Sequence, residues 1–429
     1  MNEEFLAFVW KYQKMPSNLA TVDDRTLSIL KTGYLNPNEG PDFLEATILL
    51  DEVKWVGSIE LHVKSSDWNL HKHDKNPNYE NVILHVVWEN DKQIKRANGE
   101  LIPTIELKEL IYPQLTERYN KLLESNQTLL CHHSIQEVSP ILKTQTKEVS
   151  LIKRMESKAN SINHIYHASG SDLTEAWYIW LARAFGFKLN ADIMQSLAIK
   201  LPYKIISKHL LNQHQVEALL FGVSGLLPLD GDEYINSLRK EFTYLAHKYD
   251  LPIMKKNNWM FARTRPSNFP TIRLAQFATF LVHNHDLWKI LEKDKKELFS
   301  LFKIKPSNYW KTHYSFGQEN TSIKKSGVIG DHASNLLAIN AIVPFLFFYS
   351  KVRQDEKVAE KAFDYLTMFS PENNYKTRIY EGVFTHQSAY DSQSLIGLYD
   401  LLCTQKKCLE CPIGMNIINQ NIDSTAVSH

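Results

Sequence analysis

Cysteine is scarce in this chain, four residues in 429, and the four are not spread as a disulfide framework would be. Cys403, Cys408 and Cys411 stand within nine residues, and Cys131 is the only candidate for a fourth member. In a cytosolic chain such clustering favours a metal or redox role over structural bridges. An excess of charge is lacking too: Lys plus Arg (49) balances Asp plus Glu (48). There is thus no bulk attraction to nucleic acid or membrane, and any polyanion site must be a local patch. Long apolar runs are also missing. The longest, LLAINAIVPFLFFYS at 336–350, falls short of the roughly 20 residues a membrane span needs. With Asn340 and Pro344 inside it, this run predicts a buried helix with a kink or break. The opening, MNEEFLAFVWKYQKM, begins with acids and reads as an amphipathic helix with Phe5, Phe8, Val9 and Tyr12 near one side, not as a signal peptide. The cytoplasm, with no membrane partner, is the expected location. No GxSxG, HExxH, GxGxxG or zinc-deaminase pattern occurs, and no repeat or low-complexity stretch.

A hydrophobic content of 43% and an aromatic content of 11% describe a well-packed globular chain. Its length calls for at least two domains. Between residues 26 and 107, TLSILKTGYL, EATILLDEV, WVGSIELHVKSS, NVILHVVWEND and LIPTIELKEL are strand candidates parted by turn signals. From Tyr112 the texture turns helical, with apolar stripes in YPQLTERYNKLLESN, ILKTQTKEVSLIKRMESKANSI and DLTEAWYIWLARAFGF. Asp172 with Glu175 predicts a helix start, Gly186 a stop, and Trp177 and Trp180 are core residues. The expected fold class is α+β: an N-terminal mixed-sheet α/β module (1–111) followed by a larger, mostly α-helical domain (112–402). A cysteine clasp (403–414) and a flexible tail (415–429) complete the division.

The chemistry concentrates in the first module. Asp42 sits in a Gly-Pro-Asp-Phe turn, and Glu60, His62 and Lys64 alternate on one face of WVGSIELHVKSS while Ile59, Leu61 and Val63 take the other. Asp67, His71, His73 and His85 follow as supporting groups, so that four of 17 histidines lie within 24 residues. A turn acid and a strand acid suit a hard cation, Mg²⁺ or Mn²⁺, that cancels phosphate charge and activates water. Asp42 and Glu60 would be its ligands, with His62, as a further ligand or with Lys64, orienting water or stabilising charge. A solvated strand face is the plain alternative, and His85 fits either a hydrogen-bonded core histidine or one aimed at the site. If the imidazoles converge, zinc is the better ion. Four thiolates from Cys131, Cys403, Cys408 and Cys411 would take zinc or an iron–sulfur cluster. In RTRPSNFPTIR, Arg263, Arg265 and Arg273 surround Phe269, a pattern suited to phosphate and base contacts or equally to anchoring the loop on helix carboxylates. IKKSGVIGD (323–331) lacks the spacing of a phosphate loop.

The order of an N-terminal helix with Glu3 or Glu4, then Pro41-Asp42, then Glu60-x-His62 resembles the PD-(D/E)XK nuclease superfamily. That resemblance implies that the aspartate and strand acid bind metal and that a lysine two residues on assists water. Here His62 holds the lysine position and Lys64 is displaced along the same face. Some helicase-associated nucleases of this type tie their module with one early and three late cysteines, an order similar to that of Cys131 and the C-terminal trio. Over its whole length the chain resembles a bacterial family designated domain of unknown function 2851. The similarity rests on GPDF (40–43), W-x-G-x-x-E-x-H (55–62), SSDW (65–68), NVILHVV (81–87), RPSNFPTIRLAQ (265–276) and KKCLECPIG (406–414). It implies a cytoplasmic, single-chain organisation and carries no activity with it. The expected function is metal-dependent hydrolysis of DNA or RNA phosphodiesters. The rivals are a non-enzymatic nucleic-acid- or protein-binding module with a structural metal, and a zinc-dependent hydrolase of another substrate.

Overall fold

The computed structural model describes residues 1–96, 98–124, 129–319 and 327–420. The chain divides into two units, Met1–Thr146 with the segment from Leu402 onward, and Lys147–Leu401. In the first unit every predicted strand segment contains a strand. The helix α1 (Glu3–Lys11) is followed by β1 (Leu19–Ala20), β2 (Thr26–Lys31), β3 (Tyr34–Leu35), β4 (Phe43–Leu50) and β5 (Val53–Lys64). A short helix α2 (Asp67–Leu70) leads to β6 (Val82–Glu89) and β7 (Thr104–Glu106). They form one mixed sheet in the order β1-β2-β4-β5-β6-β7, with β3 paired to β4. The β2–β4–β5 meander is antiparallel, while β6 and β7 run parallel to β5.

Burial explains this arrangement. β6 is apolar on both faces (Val82, Ile83, Leu84, Val86 and Val87 are all buried), as befits a strand inside a covered parallel segment. Helix α1 puts Phe5, Leu6, Phe8, Val9 and Trp10 into the core, each contributing about 1.5–3 kcal/mol of transfer free energy. Asn2 caps it by accepting from the Phe5 N–H. Gly57 lets β5 approach β6, because a Cβ there would meet Ile83 Cγ2 at 2.5 Å and the Asn81 carbonyl at 2.6 Å.

The first unit runs past the expected boundary at 111 to Thr146, while the second ends at Leu401, one residue from the expected 402, and no division falls at 414. Helix α3 (Pro113–Leu123) belongs to the first unit: its Tyr119 stacks on Phe5 at 4.7 Å and donates to Asn2 Oδ1. The segment from 415 is not all tail. A helix over Pro412–Asn419 buries Ile413, Ile417 and Ile418, and Ile418 joins the core of the first unit. Apolar burial therefore holds this segment in place; residues 421–429 of the expected tail lie outside the described residues.

The second unit is mostly helical. Helix α4 (Pro140–Ala168) begins in the first unit and continues in the second, and α5 (Leu173–Phe185) starts at Asp172, whose side chain accepts from Thr174 and Glu175 N–H. Gly186 ends α5 as predicted, and Trp177 and Trp180 are core residues. The apolar run at 336–350 forms part of a helix over Asp331–Arg353, 23 residues with a π-helical turn, Ala338–Ile342, where a kink or break was expected. Pro344 then sits at the first turn of the following segment, where a missing N–H costs little, and Trp180 donates its indole N–H to the Ala341 carbonyl. By length and composition this helix could cross a membrane, and 78% of its most apolar window is buried. The lysines of IKKSGVIGD, Lys324 and Lys325, lie outside the described residues.

Candidate functional site

Asp42 reaches the sheet through backbone anchoring. Asn36 donates its side-chain amide to the Pro41 carbonyl at 3.0 Å, and its backbone N–H to the Asp42 carbonyl at 2.8 Å. The register of β4 on β5 then slips between Phe43 and Ala46, with Glu45 at φ +57°, a bulge beside the site that re-aims the strand start. As a result Asp42 faces Glu60: the Asp42 N–H donates to Glu60 Oε2 at 3.2 Å, and Asp42 Oδ2 accepts from the Leu61 N–H at 2.9 Å.

The histidines arrive from the short β5–β6 crossover. Asp91 takes hydrogen bonds from both Ser65 and Ser66 hydroxyls, fixing the start of the turn. Lys72 adopts a left-handed conformation (φ +63°), and a 3₁₀ turn over His73–Lys75 follows. His73 stacks on Tyr79 with ring centres 3.8 Å apart. Beneath them Trp68, 1% exposed, presents its ring to His62, His73, His85 and Tyr79 at 5.4–6.4 Å.

The outcome is one cluster. Ligand atoms of His62, His71 and His73 all lie within 4.8 Å of one another. His62 Nε2 is 3.1 Å from His71 Nδ1, Glu60 Oε1 is 3.2 Å from His73 Nε2, and 3.6 Å separates Glu60 Oε1 from His62 Nε2. Four ligand atoms bound to one ion at about 2.0–2.1 Å stand about 3.3 Å apart, so these separations fit the edges of such a shell. His85, fully buried on β6 opposite Glu60, holds His62 from behind, with Nε2 at 2.8 Å from His62 Nδ1. If His62 Nδ1 donates its proton there, Nε2 keeps a free electron pair toward the cluster. The His85 proton then sits on Nδ1, which is buried without a partner among the described residues, as is Trp68 Nε1. Such orphaned groups cost about 1–3 kcal/mol each, a stability cost concentrated at this spot.

Electrostatics point the same way. Burial, then the Asp42 charge, pushes the Glu60 carboxyl up to about 9; burial pushes Asp42 up to about 6, with Glu3 of α1 adding to it. Burial and neighbouring imidazoles lower His62 to about 2 and His73 to about 4, and His85 falls to about 3 through burial and His73. Near neutral pH these imidazoles are therefore unprotonated, as metal ligands must be.

Lys64 and Asp67 stand apart from this cluster, and the three expected arginines line a pocket of the second unit. Lys64 ends β5 exposed and makes no side-chain hydrogen bond or ion pair among the described residues. Asp67 turns to the backbone, accepting from the Lys64 N–H at 3.0 Å at the start of α2. Arg273 is 7% exposed, stacks on Phe187 at 4.0 Å and donates to Gln276 and Asn268, so it braces its loop. Arg263 and Arg265 are exposed, without ion pairs among the described residues, on a second-unit pocket of about 680 Å³ that also includes Lys188 and His332. Tyr79 and Trp68 were not foreseen; Tyr79 lies in a turn-rich stretch with no periodicity to flag it.

The cysteines form a second group, in the first unit. Cys131, Cys403, Cys408 and Cys411 line one recess with Leu129, Leu130, Leu402, Lys407 and Gly414, and no disulfide joins them. Burial and the neighbouring thiols push the Cys408 thiol up to about 12, and Cys131 is raised in the same way.

No curated protein and no solved structure matches the chain. A family model does match it, and with residues 3–375 covered the chain belongs to the family described as protein of unknown function (DUF2851).

Proposed function

We propose that the first unit is a metal-dependent hydrolase of nucleic-acid phosphodiesters, its ion held by Glu60, His62, His71 and His73 with Asp42 alongside. The observation that carries this is the convergence of three imidazoles and the Glu60 carboxylate at ligand-to-ligand spacing. So imidazole-rich a set favours Mn²⁺ or Zn²⁺ over Mg²⁺. A bound cation would polarise a phosphoryl oxygen and ease deprotonation of water. Asp42 is the chain's own proton acceptor: Oδ2 is occupied by the Leu61 N–H, and Oδ1 has no hydrogen-bond partner among the described residues. The nucleic-acid substrate is supported by the order Glu3, Pro41-Asp42, Glu60-x-His62 around a mixed sheet, which is similar to PD-(D/E)XK nucleases.

The test is cleavage of labelled single- and double-stranded DNA and RNA by chelator-treated protein reloaded separately with Mn²⁺, Zn²⁺ or Mg²⁺. Cleavage is expected with Mn²⁺ or Zn²⁺ and absent from the chelated protein. An ion bound at the histidines with no cleavage of any polymer would leave a structural metal as the reading. Two further outcomes are expected. His85→Phe, which removes the bond to His62 Nδ1, should weaken Mn²⁺ affinity about 10–100-fold by calorimetric titration. Arg263→Ala with Arg265→Ala should weaken polymer binding irrespective of base sequence. It should also flatten the salt dependence by about one unit of slope for each phosphate no longer neutralised.

A further inference from the structure

We infer that the four cysteines form a second, independent metal site, a tetrathiolate centre that takes zinc or an iron–sulfur cluster and fastens the C-terminal segment into the first unit. The chain brings Cys131 to a trio about 270 residues later, so the meeting is produced by the fold and not by local spacing. Apart from Lys407 the rest of the recess is apolar, with Leu129, Leu130 and Leu402 on its walls, and it is small, about 20 Å³. Among the described residues no acid or histidine lines it that would serve a thiol as catalytic base.

The segment around the trio is built as a tight wrap. Lys406 takes a left-handed conformation (φ +54°), and the Cys411 N–H donates to the Cys408 carbonyl at 3.3 Å. The helix Pro412–Asn419 starts immediately after Cys411 and folds back over Cys408. A Cβ at Gly414 would lie 2.1 Å from the Cys408 carbonyl oxygen, so only glycine fits there. Four thiols meet in this recess, Cys411 buried and the other three partly so. A thiophilic metal converts them to thiolates, each releasing one proton to solvent, and Lys406 beside Cys408 offsets part of the resulting charge. The role is structural: the metal would close the long loop and hold the helix that buries Ile413, Ile417 and Ile418.

The experiment uses full-length protein purified anaerobically, with zinc, iron and acid-labile sulfide measured on His71→Ala/His73→Ala, which lacks the histidine site, and on the same variant carrying Cys131→Ser or Cys408→Ser. One zinc, or iron with matching sulfide, is expected in the histidine variant. Each serine variant should fall below about a tenth of that content, since a thiolate shell missing one member binds far more weakly. The histidine variant separates this site from the hydrolase reading, since either can fail alone. Should the serine variants not fold, thiol alkylation of the wild type decides: all four cysteines are protected until a chelator is added, then react together. Metal-free protein after reconstitution with Zn²⁺ or with iron and sulfide, metal retained in both serine variants, or alkylation indifferent to chelator would each overturn the inference.

Discussion

Glu60→Gln is expected to lower metal-dependent phosphodiester cleavage by about 10³-fold, near 4 kcal/mol of transition-state stabilisation. The carboxylate is the one anionic member among Glu60, His62, His71 and His73, and its Oε1 lies 3.2 Å and 3.6 Å from two imidazole nitrogens. Without it the cation loses a ligand and the charge that makes the site attractive to it. Glutamine suits the test because it should not unfold the protein. In the ion-free state burial and Asp42 keep Glu60 protonated up to about 9, and an amide has nearly the shape of a protonated carboxyl. Its carbonyl oxygen can still accept from the Asp42 N–H, as Glu60 Oε2 does at 3.2 Å. The comparison is kcat/KM with saturating Mn²⁺ on the best substrate, alongside a melting curve. Unchanged cleavage with unchanged melting would remove Glu60 from the chemistry and leave the histidines as a metal site of another kind.

Much of the first unit was legible because the governing pattern is local. Alternation in WVGSIELHVKSS separates Ile59 and Leu61 from Glu60 and His62, and the strand forms with that division. Capping by Asp172 and the end at Gly186 are equally short-range. What the pattern could not show is which groups a loop returns to the sheet. His71 and His73 meet His62 because Asp91 pins the turn and Tyr79 backs His73, and neither pairing follows from any periodicity. Lys64 shares a face with Glu60 by parity, yet the strand ends there and leaves it in solvent. Arg273 looks like its neighbours Arg263 and Arg265 in sequence, but as part of a buried helix start it is spent on Gln276, Asn268 and Phe187. The run with Pro344 continues as a helix where a kink or break was expected, because a π turn just before the proline accommodates it at no large cost in backbone bonds.

The contribution of the site's own groups to the stability of ion-free protein should be greatest near pH 6–6.5, and the stabilisation conferred by Mn²⁺ or Zn²⁺ should grow as pH rises beyond that. Folding holds His62, His85 and His73 neutral down to about 2, 3 and 4, whereas unfolded histidines bind protons below about 6.5. It also keeps Asp42 and Glu60 protonated to about 6 and about 9, while unfolded carboxyls lose theirs near 3.8 and 4.5. Between pH 4.5 and 6 these five groups alone give the unfolded chain three extra protons on histidine against two extra on the folded carboxyls, so their joint contribution rises with pH, while Glu175 of the second unit, pushed by burial up to about 7, acts in the opposite sense. From 6.5 to 9 only Glu60 among these five differs, the folded state binds the extra proton, and the site's contribution falls by at most about 1.4 kcal/mol per pH unit. A cation reverses the sign, because it favours the Glu60 carboxylate and finds the imidazoles already deprotonated. At a free concentration 100 times its dissociation constant it contributes about 2.7 kcal/mol, or roughly 5–10 °C in Tm for a unit of this size. Melting of chelated and Mn²⁺-loaded protein at pH 6.5 and 8.5 gives the comparison, with His71→Ala/His73→Ala as control. His71 is exposed and His73 half-buried, so that variant folds but should show little cation-induced shift at either pH. An equal shift in both proteins, or one that shrinks with rising pH, would place the ion elsewhere and take the hydrolase with it.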